Sequence, residues 1–228
     1  AIVQSPARNK IVVAGPGTGK TFLFGEILKG KSKALTLTFV NSLVEDLSLS
    51  LYGMSEVRTL HGFARSELRR LTGKNVDIFP KLSRVIEDDA RILLGQDYTF
   101  EPMFHDRDDS NPALEFYQTR QTYYGPYFGY AGVVFALVRR YEDDEKQIPT
   151  YDQIVIDEFQ DFNKLEVSLI DALDSTSPML VAGDDDQALY DFKNASAEHI
   201  RSKHGPGCPA YEAFELPYCS RSTRVIVQ

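Results

Sequence analysis

The chain has 228 residues, 43% of them hydrophobic and 25% charged, which suffices for a large buried core in one domain or in one domain with an inserted lobe. Its formal net charge of −8 excludes a broad basic surface for duplex DNA, so any nucleic-acid contact is expected in a local groove that relies on aromatic stacking. Two cysteines exclude a disulfide framework, no apolar run approaches the roughly 18 residues of a membrane span, and no signal peptide is visible, so a reducing, cytoplasmic setting without a membrane partner is expected.

The first predicted element is a strand, Ile11–Ala14. It runs into Ala14-Gly15-Pro16-Gly17-Thr18-Gly19-Lys20-Thr21, and a predicted helix, Thr21–Leu28, follows. A strand, a Gly-rich turn ending in Gly-Lys-Thr, then a helix is the setting of a phosphate-binding loop. Small residues free backbone N–H groups to wrap a polyphosphate, and the helix N-terminus adds partial positive charge. Lys20 is placed to reach the β- and γ-phosphates, and the Thr21 hydroxyl to ligate Mg²⁺. The first position is Ala14, so the match is to the relaxed form of the pattern. An ordinary Gly-rich turn is the weaker reading, because strand and helix both lie where the motif needs them.

Next come a strand at Ala34–Phe39, a helix at Ser42–Ser50, a strand at Val57–Leu60 and a helix at Gly62–Leu71. The alternation stops between Thr72 and Thr150, where Lys81–Leu94 and Gly132–Glu145 have helical apolar spacing. This stretch reads as an inserted, mostly helical lobe. Its acidic runs, residues 106–109 and 142–145, read as solvated loop or helix end. Its aromatic group of Tyr123, Tyr124, Tyr127, Phe128 and Tyr130 could stack bases, but packing of an irregular loop is the plainer reading.

The sheet is expected to resume at Tyr151 with a strand at Gln153–Ile156, a helix at Lys164–Leu173 and a strand at Met179–Ala182. The continuous apolar run around Val155 suits a parallel strand buried on both faces, and the alternation of strands and helices predicts a doubly wound α/β sheet. The strand at Ile156 ends in Asp157-Glu158. Ligands of open α/β sheets bind beyond the carboxyl ends of the strands, which brings this pair to the edge that carries the phosphate loop. Asp157 can hold Mg²⁺ beside Thr21, and Glu158 can orient and polarise an attacking water; a structural helix cap is the bland alternative. The next strand ends in Gly183-Asp184-Asp185-Asp186-Gln187, where the carboxylates suit either a cation or a solvated turn and Gln187 could sense a γ-phosphate. His199 and His204 near Cys208 and Cys219 fit no compact zinc spacing.

Asp157-Glu158-Phe159-Gln160-Asp161 followed by the run from Gly183 to Phe192 resembles superfamily 1 DNA helicases of the UvrD/Rep type, whose pattern is DEFQD and then GDxxQxIYxFRGA. Residues Leu37–Asn41 resemble the family's TFTN segment, Thr59–Phe63 its T-x-H-x-F segment, and Leu216–Thr223 its L-x-x-N-Y-R-S-T segment. With the phosphate loop, six motifs in order cover most of the chain outside the insert. The resemblance implies a RecA-like P-loop domain formed by residues 1–71 and 151–228, with a helical subdomain inserted at 72–150. It implies ATP hydrolysis, with Mg²⁺, coupled to movement on single-stranded DNA or a 3′-tailed duplex in the 3′-to-5′ direction. By position, Ala14 to Thr21 hold ATP, Thr21 and Asp157 hold Mg²⁺, Glu158 is the base, and Gln187 and Arg221 contact the γ-phosphate. Phe39, Asn41, His61, Tyr190 and Phe192 match positions that face the DNA strand.

Several positions depart from the family. Ser220 replaces the Tyr that stacks on adenine, Lys193-Asn194 replaces Arg-Gly, and Ser42 replaces a Lys. Gln4 lies too close to the phosphate loop to be the family's adenine-reading Gln. The chain begins at Ala1 and stops at Gln228 without the motifs of a second RecA-like domain or its arginine finger, so the N-terminal motor half of a larger helicase is expected, weakly active in isolation. A helicase-like ATP switch or binding module without motor activity is the alternative. A GTPase would need Asn-Lys-x-Asp, and the nearest string, Asn163-Lys164-Leu165-Glu166, ends in the wrong residue.

Overall fold

The structure is a computed structural model that describes residues 1–15, 17–184 and 211–216. Six parallel strands form one sheet: β1 (Lys10–Ala14), β2 (Ala34–Thr38), β3 (Glu56–Thr59), β6 (Gln153–Ile156), β7 (Met179–Gly183) and β8 (Glu212–Leu216), in the order β3-β2-β6-β7-β1-β8. Every residue of β2, β6 and β7 is buried, as expected of inner parallel strands covered on both faces. The edge strand β8, Glu-Ala-Phe-Glu-Leu, has glutamates at two of its five positions and so carries no continuous apolar run.

Helices α1 (Lys20–Leu28) and α2 (Asn41–Ser50) cover one face, packing Leu23, Phe24, Ile27 and Leu47 against Val12, Val155, Leu180 and Ala182. On the other face Ile11, Leu35, Leu37, Ile156 and Val181 meet α3 (Leu60–Thr72), α7 (Tyr130–Asp143) and α8 (Lys164–Thr176). Residues 72–150 add α4 (Leu82–Leu94), α5 (Phe100–His105) and α6 (Ala113–Gln121) around α7, and a two-residue parallel pair, β4 (Asp77–Ile78) with β5 (Tyr127–Phe128), ties the start of this segment to a point before α7. The core of this segment, including Ile86, Phe104, Tyr117 and Leu137, is continuous with the second sheet face. α7 therefore covers the sheet as well as anchoring the other inserted helices.

Local chemistry sets the boundaries. Leu60, expected at the end of a strand, opens α3 instead, because the Thr59 hydroxyl accepts the Gly62 N–H at 3.1 Å and caps the helix there. α8 starts at a capping box in which Asn163 accepts the Glu166 N–H and Glu166 accepts the Asn163 N–H. Asn163–Glu166, weighed above as a guanine-reading string, is this helix start. Of the aromatic group, Tyr123, Tyr127 and Tyr130 are exposed, whereas Phe128 packs on the core and the Tyr124 hydroxyl donates to Asp89.

Candidate nucleotide site

Because all six strands are parallel, their carboxyl ends lie along one edge of the sheet. The chain leaves β1 for the far side of the sheet and returns later to insert β6 and β7 between β1 and β2. The phosphate loop after Ala14, the Asp157-Glu158 pair after Ile156 and Asp184 after Gly183 therefore converge on one crevice.

The loop has the backbone its glycines permit. Gly17 has φ +73° and Gly19 φ +95°, the left-handed region in which a side chain would be strained. Gly19 is the residue preceding α1, so the turn ends where the first free N–H groups of the helix begin. The Thr18 hydroxyl donates to the Gly15 carbonyl at 2.9 Å and closes the turn. Lys20 opens α1 with its ammonium 2.9 Å from Glu158 Oε1 and 4.0 Å from Asp157 Oδ1. Thr21 follows in the first turn, partly buried.

Asp157 is 6% exposed. Burial, and then the adjacent Glu158 charge, push its carboxyl up to about 6, against the opposing pull of Lys20. Its Oδ1 accepts the Glu158 N–H at 3.0 Å. Glu158 has φ +52°, one of two non-glycine residues in the left-handed region among the described residues. Such a residue costs on the order of 1 kcal/mol or more and persists where the surroundings enforce it. Here the enforcement is polar: Lys20 holds Oε1, and the Gln160 amide donates to Oε2 at 2.9 Å.

Two neighbouring carboxylates that share one ammonium, with the Thr21 hydroxyl at the start of α1, form a donor set suited to a hard divalent cation that completes its shell with phosphate and water. Among the described residues no group of three or more His, Cys, Asp or Glu is placed to hold a metal ion.

A second feature adjoins the same sheet edge. Phe39, Asn41 and His61 line one groove of about 680 Å³, together with Arg65, His105 and Tyr130. Phe39 meets Phe162 edge to face at 5.8 Å, and His61 meets Tyr130 in the same way at 5.4 Å. His61 Nε2 lies 3.3 Å from the buried Glu166 carboxylate. Pro16, Gln187, Tyr190, Phe192 and Arg221 lie outside the described residues. Gln160 carries no site role in the sequence reading, and Tyr130 only the weaker base-stacking reading of its aromatic group. Gln160 was visible within DEFQD, but its side-chain partners depend on which strand neighbours β6.

A family model described as an AAA domain matches residues 1–193. DNA helicase II of Haemophilus influenzae is 26% identical over 261 residues, covering 87% of this chain and 35% of that protein. DNA helicase II of Escherichia coli is 26% identical over 278 residues, covering 99% and 38% respectively. A probable DNA helicase II homolog of Mycoplasma capricolum is 43% identical over 51 residues, 22% of this chain. The chain thus spans 35% and 38% of the length of the two relatives that it matches over most of its own length. No helix among the described residues is long and apolar enough to cross a membrane.

Proposed function

The chain belongs to the AAA domain family, and from that premise we propose that it is the ATP-binding motor half of an ATP-dependent DNA helicase of the UvrD/Rep type. The observation that carries this reading is the convergence on Lys20 of the phosphate loop and the Asp157-Glu158 pair, at 4.0 and 2.9 Å. A turn that only ends a strand has no need of a lysine held between two carboxylates from another strand.

In this reading, the loop residues from 14 to 19 other than Pro16, which has no N–H, present N–H groups to the phosphates, and the Lys20 ammonium exchanges Glu158 for β- and γ-phosphate oxygens. Thr21 and Asp157 are the ligands for Mg²⁺, which when bound neutralises charge on those oxygens. Glu158 then has a free carboxylate oxygen with which to orient a water and accept its proton. Gln187 and Arg221 are assigned to the γ-phosphate by the family resemblance. The groove at Phe39, Asn41 and His61 is assigned to single-stranded DNA or the tail of a 3′-tailed duplex, with movement 3′ to 5′, and the family resemblance assigns Tyr190 and Phe192 to the same ligand. Stacking there is worth about 1–3 kcal/mol per base and needs little positive charge, which fits an acidic chain. Residues 1–71 and 151–228 form the RecA-like domain and residues 72–150 its insert. A second RecA-like domain, acting in the cytoplasm with this one, supplies the other wall of the nucleotide cleft.

The test is Glu158→Gln in the full-length protein. ATP binding is expected to persist while hydrolysis falls by about 10²-fold or more; unchanged hydrolysis would refute the role given to Glu158. Translocation on single-stranded DNA by the wild type separates a motor from an ATP switch.

A further inference from the structure

Glu158 is held by two groups, and only one of them can stay when a nucleotide arrives. Lys20 contacts Oε1 at 2.9 Å, yet the same ammonium is the loop's phosphate ligand in the reading above. The other hold is Gln160, which lies in the 3-10 turn Phe159–Asp161 and is 3% exposed. Its Nε2 donates to Glu158 Oε2 at 2.9 Å. Its Oε1 accepts the Asp184 N–H, at the end of β7, at 3.1 Å.

The second bond fixes the first. A backbone N–H can only donate, so the atom facing Asp184 must be the amide oxygen, and the amide NH₂ is turned toward Glu158. A buried amide with both ends engaged has one orientation. The backbone of Glu158 is left-handed, so its side chain leaves the strand in a direction that β6 itself does not set.

We infer that Gln160 is a positioning residue for Glu158: it keeps the carboxylate aimed once Lys20 has turned to phosphate, and its own aim depends on the Asp184 peptide. The inference rests on the reading of Glu158 as the base. It also makes the end of β7 a control point, because a shift of the Asp184 N–H frees the amide to rotate and releases Glu158.

The test uses ATP hydrolysis and equilibrium binding of a fluorescent ATP analogue by the full-length protein carrying Gln160→Leu or Gln160→Glu. Leu removes both hydrogen bonds at similar size. Glu keeps the acceptor for Asp184 but replaces the donor toward Glu158 with a carboxylate. Both variants are expected to lower kcat by about 10-fold or more, with the nucleotide Kd within about 3-fold of wild type. A Glu variant that hydrolyses ATP at the wild-type rate would overturn the inference, since only the Asp184 bond would then matter. A Leu variant at the wild-type rate, or losses in Kd that match those in kcat, would overturn it as well. Glu158→Gln in parallel separates the two claims: if that variant hydrolyses ATP normally, the reading of Glu158 fails first.

Discussion

Asp157 carries an electrostatic cost in the ligand-free protein. Its carboxyl is raised from 3.8 to about 6, by burial first and Glu158 second. The folded state therefore holds a proton that the unfolded chain has already released between about pH 4 and pH 6. Stability falls as pH rises through that window and stays at the lower level above it. Asp157→Asn removes the term and keeps an oxygen for the Glu158 N–H. In buffer free of nucleotide and magnesium, the variant is expected to be more stable than wild type at pH 7.5 by about 1–3 kcal/mol, with the gain shrinking toward pH 4.5. Melting curves at the two pH values check this, and an equal change at both would contradict it. The residue names in this site were legible in the sequence because the phosphate loop and DEFQD are contiguous strings. The strain at Glu158 and the double engagement of Gln160 were not, because they depend on which strands lie side by side.

At the scale of elements, the start of α8 joins the two features of the molecule. Asn163 follows the turn that holds Gln160, and its cap partner Glu166 also faces His61 in the groove. Both cap residues are 2% exposed, so water cannot replace the lost bond. Asn163→Ala is expected to cost about 1–2 kcal/mol in urea unfolding, and Asn163→Ser to recover most of it; equal losses in both would assign the effect to packing instead of capping. The inner strands β6 and β7 were legible from the apolar runs Ile154–Ile156 and Met179–Ala182, and β2 from Ala34, Leu35 and Leu37 between its buried threonines. β8 was not, since the exposed Glu212 and Glu215 break its apolar sequence. Nor were α5, six residues with Pro102 inside it, and α6, whose apolar residues Ala113, Leu114, Phe116 and Tyr117 crowd into its first half instead of forming a stripe.

The whole molecule gathers its chemistry by topology. Parallel strands and a late return of the chain bring residues 14–21, 157–160 and 184 to one edge, though up to 170 positions separate them. The α/β class and the helical character of residues 72–150 were legible from periodicity. That this segment also covers a sheet face was not, because α7 reads alone as an amphipathic helix, whereas its partners α3 and α8 lie on either side in sequence. The central claim is that this edge binds a nucleotide through Lys20. Titration of this chain with ATP, with and without Mg²⁺, for wild type and Lys20→Met, tests it directly. The expected result is one-to-one binding that Mg²⁺ strengthens and that Lys20→Met weakens by about 10-fold or more, since Lys20 is the one charged side chain in residues 14–21. Equal affinity in wild type and variant, with the variant still folded, would contradict the account.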